Sequence, residues 1–316
     1  MVSLAFLLYC SLFCVTENAT ENWQGFSQYW NESIEKWNGV NRYWNQTESE
    51  KETVQNNTTI HDSILEVGIV FDNTFVDRSG KITKGKMASE FQFPYMVSVQ
   101  YKGLIFTYHV CGGAIVTRFY VLTAAHCVEE EREYIVEAGL LNFEQNDNET
   151  QQREIAERQL HEQFTKNPRY VQHDIALLRL KSPFQWTQSV RPVKLPAFYA
   201  EFDGKAVVCG WGRTERGVES TWLRYLDVDL LSTDECNAEI TKVGDSSRAL
   251  DTNLCSSGSS GTSACFGDSG SPLVQDDVLI GLVSWGIGSC GKLSEPTVYT
   301  KCSNYINWIE SRLTFT

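Results

Sequence analysis

The sequence predicts an all-β domain closed by one short helix, and three observations support this. From about residue 82, apolar or alternating runs of strand length recur along the chain. Gly, Pro, Asn and Asp separate these runs, as in β-sandwiches and β-barrels. The chain has 316 residues, of which 42% are hydrophobic, and this is enough to close a core.

The expected strands follow one another up to a final helical segment. In chain order they are YMVSVQY (95–101), GGAIVT (112–117), YVLTAA (120–125), DIALLRL (174–180), AVVCGWG (206–212), LIGLVSWG (279–286) and PTVYTK (296–301). In the closing segment NYINWIESRL, the apolar residues Tyr305, Ile306, Ile309 and Leu313 have the spacing of an amphipathic helix.

The first 16 residues are expected to be a secretory signal peptide. Their apolar run, MVSLAFLLYCSLFCV, is too short to span a bilayer, and polar residues follow it at once. A buried helix is the alternative. Cys10 and Cys14 lie inside this segment, so eight of the ten cysteines remain, an even number consistent with disulfides formed in an oxidising compartment. The protein is therefore expected to be secreted and extracellular.

The net charge of −13 argues against nucleic acid as a partner, because phosphate recognition depends on clustered Lys and Arg. No further segment is apolar enough to cross a membrane. We therefore expect neither nucleic acid nor a membrane among the partners.

Residues 17–81 form an Asn- and Glu-rich leader, interpreted as a largely unstructured, glycosylated propeptide. Glycosylation sequons crowd the part of the leader before residue 60, with one more in the following domain: Asn18, Asn31, Asn45, Asn56, Asn57 and Asn148.

Tryptophan recurs every seven residues in the leader, at Trp23, Trp30, Trp37 and Trp44. On a helix these rings would form a stripe. The other interpretation is a partly disordered leader in which Trp-Asn happens to repeat, because Gly and Asn are poor helix residues. Both interpretations stay open.

A candidate nucleophile, Ser269, lies in SACFGDSGSP (263–272), and it needs a general base and oxyanion donors. His126 in VLTAAHC is a candidate base. Asp174 in HDIALLRL is a carboxylate at the start of an apolar strand. A carboxylate buried there needs hydrogen-bond donors or a positive charge. An imidazolium formed on His126 would be one such partner.

The segments LTAAHC, DIALLRL and GDSGSP, in this order, resemble the triad segments of chymotrypsin-like serine proteases. CGG at 111–113, GWG at 210–212 and VSWG at 283–286 extend the resemblance, which covers residues 82–316. It implies two six-stranded antiparallel β-barrels with a C-terminal helix, and a catalytic site in the cleft between the barrels.

The resemblance implies a role for each site residue. Ser269 is the nucleophile, His126 the general base and then acid, and Asp174 the residue that orients His126. The backbone N–H groups of Gly267 and Ser269 form the oxyanion hole. Ser284, Trp285 and Gly286 resemble the segment that pairs with the substrate backbone.

The implied specificity pocket is apolar. Ser263 lies at its floor, where trypsin-like members carry an aspartate, so basic side chains should be rejected. Gly286 leaves one wall open, and Thr297 replaces a usual Gly on the other. The expected preference is for medium or large apolar residues such as Leu, Met or Phe, in an order that stays open.

The resemblance also implies three disulfides: Cys111–Cys127, Cys236–Cys255 and Cys265–Cys290. Cys209 and Cys302 remain and are paired by elimination, with one free thiol at each position as the alternative.

The same resemblance implies activation by cleavage between Lys81 and Ile82. The new amino group of Ile82 would pair with Asp268 and set the Gly267 N–H into the oxyanion hole. Because a pocket that rejects Lys could not cleave after Lys81, another, trypsin-like protease should open the zymogen.

These observations predict a monomeric, secreted serine endopeptidase that is made as a zymogen and requires no cofactor. Leu140 stands where calcium-binding members carry an acid, so no structural metal is expected. Expected partners are protein or peptide substrates, the activating protease and protein protease inhibitors. The first alternative is a catalytically silent homologue acting as a binding or adaptor protein. The second makes the Trp-rich leader the functional part.

Overall fold

The computed structural model describes residues 85–103, 106–144, 149–213, 218–257, 264, 267–287 and 296–313. The expected signal peptide (1–16), the propeptide (17–81) with its tryptophans, and all the sequons lie outside the described residues. The boundaries of these segments therefore remain predictions.

The described chain is mostly β-structure. Its strands are β1 (Lys86–Met87), β2 (Met96–Lys102), β3 (Thr107–Ile115), β4 (Tyr120–Thr123), β5 (Tyr134–Ala138), β6 (Gln151–Leu160), β7 (Thr165–Asn167), β8 (Tyr170–Gln172), β9 (Ala176–Leu180), β10 (Lys205–Gly210), β11 (Arg224–Leu231), β12 (Asn253–Ser256), β13 (Pro272–Gln275), β14 (Val278–Gly286) and β15 (Thr297–Lys301). Its α-helices are α1 (Thr233–Lys242) and α2 (Ile306–Glu310), and 3₁₀ turns span Ala125–Cys127 and Cys302–Tyr305.

The first barrel closes in the antiparallel order β2-β3-β4-β9-β6-β5. Its central strands β4 and β9 carry apolar runs that are almost fully buried, as expected for strands covered on both faces. Along most of its length, strand β6 alternates exposed residues such as Gln152 and Glu154 with partly buried ones, because only one of its faces meets the core.

The second barrel has the strand order β11-β10-β13-β14-β15-β12 and closes through pairing of β11 with β12. The short strand β1 adds to the edge of β11, at Lys86↔Tyr225 and Met87↔Arg224. The all-β prediction and the implied pair of six-stranded antiparallel barrels are confirmed.

The predicted C-terminal helix is also confirmed, although it is short. A 3₁₀ turn leads into α2, and Tyr305, Ile306 and Ile309 are buried on its inner side. Among the described residues, no helix has both the length and the apolar character needed to cross a membrane.

Helix α1 was not predicted from the sequence. Its start is a capping box, in which Ser232 and Glu235 satisfy each other's backbone N–H groups. Its buried Cys236 forms a disulfide with Cys255 on β12.

The cysteines follow the expectation for two pairs and depart from it for a third. Cys111–Cys127 and Cys236–Cys255 are disulfides, as the resemblance implied. Cys265 and Cys290 lie outside the described residues.

The pairing of Cys209 with Cys302 is wrong, because both are free, buried thiols. Cys209 lies on β10 and Cys302 follows β15, and strands β13 and β14 lie between these two in the barrel. The Cys209 sulfur instead contacts Met96 Sδ at 3.8 Å, and the Cys302 sulfur lies 3.9 Å from the carbonyl oxygen of Thr300.

Candidate active site

Pairing of β4 with β9 brings His126 and Asp174 to the same end of the first barrel. Strand β4 ends at Thr123, which pairs with Ala176 at the start of β9. His126 lies in the 3₁₀ turn just after β4, and Asp174 lies two residues before β9. The antiparallel register therefore places both residues at one rim of the barrel.

His126 and Asp174 are joined by two hydrogen bonds. Nδ1 of His126 lies 2.7 Å from Oδ2 of Asp174, and the backbone N–H of His126 donates to Oδ1 at 2.9 Å. Because Nδ1 carries the proton in this bond, Nε2 of a neutral ring is left as the acceptor. The carboxylate thus fixes both the tautomer and the orientation of the imidazole.

The second barrel also holds Asp174. The Ser284 hydroxyl donates to Asp174 Oδ2 at 2.6 Å, and the Thr300 hydroxyl donates to the Asp174 carbonyl at 2.8 Å. Burial by itself would raise the pKa of Asp174, whose side chain is only 1% exposed. The charge of His126 and the hydrogen bonds from His126 and Ser284 outweigh burial and hold this pKa below its ordinary value.

Ser269 lies in a loop of the second barrel that is fastened to the first. Its carbonyl accepts from the backbone N–H of Gly112 at 2.8 Å. The next residue, Gly270, has φ +72°, and a Cβ there would lie 2.2 Å from Thr123 Oγ1. A glycine is therefore required for this loop to approach the end of β4, beside the turn that carries His126.

Gly267 also has a left-handed backbone, with φ +92°. Its carbonyl accepts from Nε2 of His109 at 2.9 Å, and Nδ1 of His109 lies 2.8 Å from the Ser98 hydroxyl. Burial lowers the pKa of His109 to about 4, although the bond to Gly267 acts in the opposite direction. His109 is thus a neutral imidazole at pH 7, donating from Nε2 and accepting at Nδ1.

Asp268 is buried beside Ser269, with 1% of its surface exposed. Its Oδ1 accepts from the backbone N–H of Gly212 at 2.8 Å. A Cβ on Gly210 or Gly212 would lie 2.2 Å from a carboxylate oxygen of Asp268. The two glycines of the GWG motif therefore make room for this carboxylate.

The expected pocket walls lie opposite each other on neighbouring strands. Gly286 on β14 pairs with Thr297 on β15, and Ser284 and Trp285 precede Gly286 on the same strand. Thr297 is 5% exposed, whereas no atom lies within 4 Å of a Cβ built on Gly286. Ser263, the expected floor, and Lys81 and Ile82 of the expected activation site lie outside the described residues.

Sequence reasoning missed His109, Ser98 and the role of Gly212. For His109, the only indication in the sequence was its position two residues before Cys111 in HVCGG. Ser284 was expected to meet the substrate backbone, and its hydroxyl contacts Asp174 as well.

One cluster of potential metal ligands occurs among the described residues: Cys111, His126 and Cys127. The two sulfurs are bonded to each other in a disulfide, so neither offers a thiolate. This cluster is therefore not a metal site.

Comparisons with known proteins match most of the chain. A family model described as Trypsin matches residues 82–309. Melanization protease 1 of Drosophila melanogaster is 31% identical over 300 residues, covering 84% of this chain and 72% of the relative. Trypsin epsilon of Drosophila erecta is 33% identical over 245 residues, which cover 77% of this chain and 91% of that relative. Kallikrein-8 of Rattus norvegicus is 34% identical over 207 residues, which cover 65% of this chain and 77% of that relative.

Proposed function

Because this chain belongs to the trypsin family of serine endopeptidases, we propose that it hydrolyses peptide bonds through an acyl-enzyme on Ser269. The observation that carries the proposal is the pair of hydrogen bonds that fixes His126 on Asp174. The hydrogen bond from Gly112 N–H on β3 to the carbonyl of Ser269 also supports the proposal, because it holds the Ser269 loop against the first barrel.

In the first half of the reaction, Ser269 Oγ bonds to the carbonyl carbon of the scissile peptide while its proton moves to Nε2 of His126. The carbonyl π electrons move to oxygen, and the N–H groups of Gly267 and Ser269 donate hydrogen bonds to the resulting oxyanion. Each such donor contributes about 3 to 4 kcal/mol of barrier lowering. Asp174 stabilises the imidazolium that has formed.

Collapse of this intermediate breaks the C–N bond, and His126 gives its proton to the departing amine. Water then repeats the sequence on the ester: it loses a proton to His126, attacks the acyl carbon, and releases the acid as Ser269 regains its proton. All groups in this proposal belong to the protein, and no cofactor is required.

The proposed substrates have an apolar residue before the scissile bond. A Lys or Arg side chain would lose its hydration at Ser263 without meeting a carboxylate, a penalty of several kcal/mol. Matched peptides with Phe, Leu, Ala or Arg in that place test this. Fastest turnover of the Arg peptide would reject the assignment.

The proposed enzyme is secreted as a monomeric zymogen and is cleaved between Lys81 and Ile82 by a trypsin-like protease. The resemblance supports this site, because it implies that a buried aspartate beside the nucleophile pairs with the new amino group, and Asp268 is buried. N-terminal sequencing of the activated protein should find Ile82 first. A first residue of Gly85 or Met87 would refute the site.

A fluorophosphonate probe tests the catalytic proposal directly. After activation, the probe should label the wild type and the Ser271→Ala variant but not Ser269→Ala. Ser271 is the matched control because it lies two residues away and is fully buried. Absence of label from the cleaved wild type would favour the silent binding or adaptor protein instead.

A further inference from the structure

His173, the residue before Asp174, has an unfavourable backbone conformation. Its φ is +54°, in the left-handed region that residues with a Cβ seldom occupy. Such a conformation persists only where the surrounding structure holds it, and it is often found at functional sites.

Side chains from two distant segments hold His173. Its imidazole stacks on that of His161, with ring centroids 4.7 Å apart and planes inclined by 10°. Its Nδ1 lies 3.1 Å from the hydroxyl of Tyr305, which is only 3% exposed. The ring is therefore fixed from the end of β6 on one side and from the C-terminal 3₁₀ turn on the other.

The backbone around Asp174 is fixed by the same segments. Ile175 N–H donates to the carbonyl of His173 at 2.9 Å, which closes a tight turn centred on Asp174. His161 N–H donates to the carbonyl of Ile175 at 3.0 Å. This backbone conformation accompanies the placement of the buried Asp174 carboxylate 2.7 Å from Nδ1 of His126.

The charges around the pair are compatible with stacking. Burial lowers the pKa of both His161 and His173, and repulsion by a protonated His173 lowers that of His161 further. Glu162 and Arg312, which form an ion pair beside His161, shift its pKa in opposite directions. Both rings are therefore mainly neutral at pH 7.5 and do not repel each other.

We propose that His173 is a positioning residue for Asp174: His161 and Tyr305 hold its backbone in the left-handed conformation that aims the Asp174 carboxylate at His126. The inference rests on the proposed function, because the position of Asp174 affects catalysis only if His126 and Ser269 are catalytic residues. His173 itself touches no reacting atom.

The test compares kcat and KM of the activated enzyme and its variants on one peptide substrate. His173→Ala should lower kcat roughly 10- to 100-fold, the effect of misplacing a catalytic group by about an ångström, and leave KM within about twofold. His173→Asn should keep most of the activity, because Asn tolerates a left-handed backbone. Tyr199→Ala is the matched control: Tyr199 has the same φ of +54° but is 63% exposed, and kcat should not change.

Two further measurements keep the test decisive if His173→Ala does not fold. Tyr305→Phe removes only the hydroxyl and should lower kcat roughly 2- to 10-fold. In proton NMR, the deshielded N–H between His126 and Asp174 should weaken or shift in the impaired variants and stay unchanged in Tyr199→Ala. Wild-type kcat in both His173→Ala and Tyr305→Phe would overturn the proposal, as would equal impairment of His173→Ala and His173→Asn.

Asp174→Asn separates this inference from the proposed function. If Asp174→Asn is fully active, the catalytic proposal fails. If Asp174→Asn is inactive while His173→Ala retains the wild-type kcat, only the positioning role of His173 fails.

Discussion

The backbone N–H of Gly212 donates to the Asp268 carboxylate at 2.8 Å, and a Cβ on Gly212 would lie 2.2 Å from the other carboxylate oxygen. The two residues are 56 positions apart in the chain. The position of Asp268, and of the proposed oxyanion-hole residue Gly267 before it, therefore requires that residue 212 has no side chain.

Gly212→Ala should greatly reduce activity and leave the barrels folded. The new methyl group forces Asp268 to move, and this shifts Gly267 and Ser269 on either side of it. Loss of one oxyanion donor corresponds to a decrease of about 100- to 1,000-fold in kcat. Hydrolysis of a peptide substrate, compared with the far-ultraviolet circular dichroism spectrum, measures the two effects separately.

Gly204→Ala is the control for this experiment. Gly204 has φ +74°, but no atom lies within 4 Å of an added Cβ, so only backbone strain is introduced. We expect a loss of about 1 kcal/mol in the free energy of unfolding and an unchanged kcat. Equal inactivation of both variants would show that the contact with Asp268 is not the cause.

Thr297→Gly should shift specificity towards larger aromatic residues. Removing this side chain opposite Gly286 widens the proposed pocket, and a methyl-sized change alters discrimination by about 1 to 3 kcal/mol. The ratio of kcat/KM for Phe and Leu peptides should therefore rise roughly 5- to 150-fold. An unchanged ratio would place Thr297 outside the pocket.

Stability should fall as the pH decreases from about 6.5 to 4, because His109 stays neutral in the folded protein. The unfolded chain binds a proton on this histidine near pH 6.5, whereas the folded chain does so only near its pKa of about 4. The contribution of this group is complete above pH 6.5, and about 2 to 3 kcal/mol is lost by pH 4.

Urea unfolding at several pH values tests this prediction with His109→Gln, which should have a smaller decrease across that range. Some decrease should remain, since burial also lowers the pKa of His161 and His173. An identical pH dependence in variant and wild type would contradict the assignment to His109.

Cys209 and Cys302 should resist alkylation in the folded protein and react after unfolding. Burial raises the pKa of both thiols, so little reactive thiolate forms, and the sulfurs are inaccessible. With Cys265 and Cys290 paired as the family resemblance implies, mass spectrometry without reduction should find two alkylated cysteines only in denaturant. No alkylation in denaturant would restore the disulfide between Cys209 and Cys302.

The sequence predicted strands with long apolar runs, such as β4, β9 and β14, and missed the mostly polar strand β6. Strands β4, β9 and β14 are buried on both faces, so their sequences have the apolar signal of core strands. Strand β6, QQREIAERQL, has no such signal, because none of its residues is fully buried and most are polar. Helix α1 had a signal that was overlooked, since Ser232 and Glu235 match the capping-box pattern.

Within the site, the local motifs around His126, Asp174 and Ser269 indicated their chemistry, but contacts between distant segments had no sequence pattern. The bond from His109 to Gly267 spans 158 positions, and the Ser284 hydroxyl reaches Asp174 across 110. The error on Cys209 and Cys302 has the same origin, because an even cysteine count says nothing about which strands are neighbours.

The hydrogen bonds from Ser284 and Thr300 to Asp174, and from Gly112 to Ser269, all join one barrel to the other. The strand pairs that close each barrel lie within that barrel, whereas the alignment of the three candidate catalytic groups depends on contacts between the barrels. A small separation of the halves would therefore abolish peptide hydrolysis before any strand is lost. As the denaturant concentration rises, the rate of peptide hydrolysis should therefore fall before the secondary structure is lost. Activity then reports on the relative position of the two barrels.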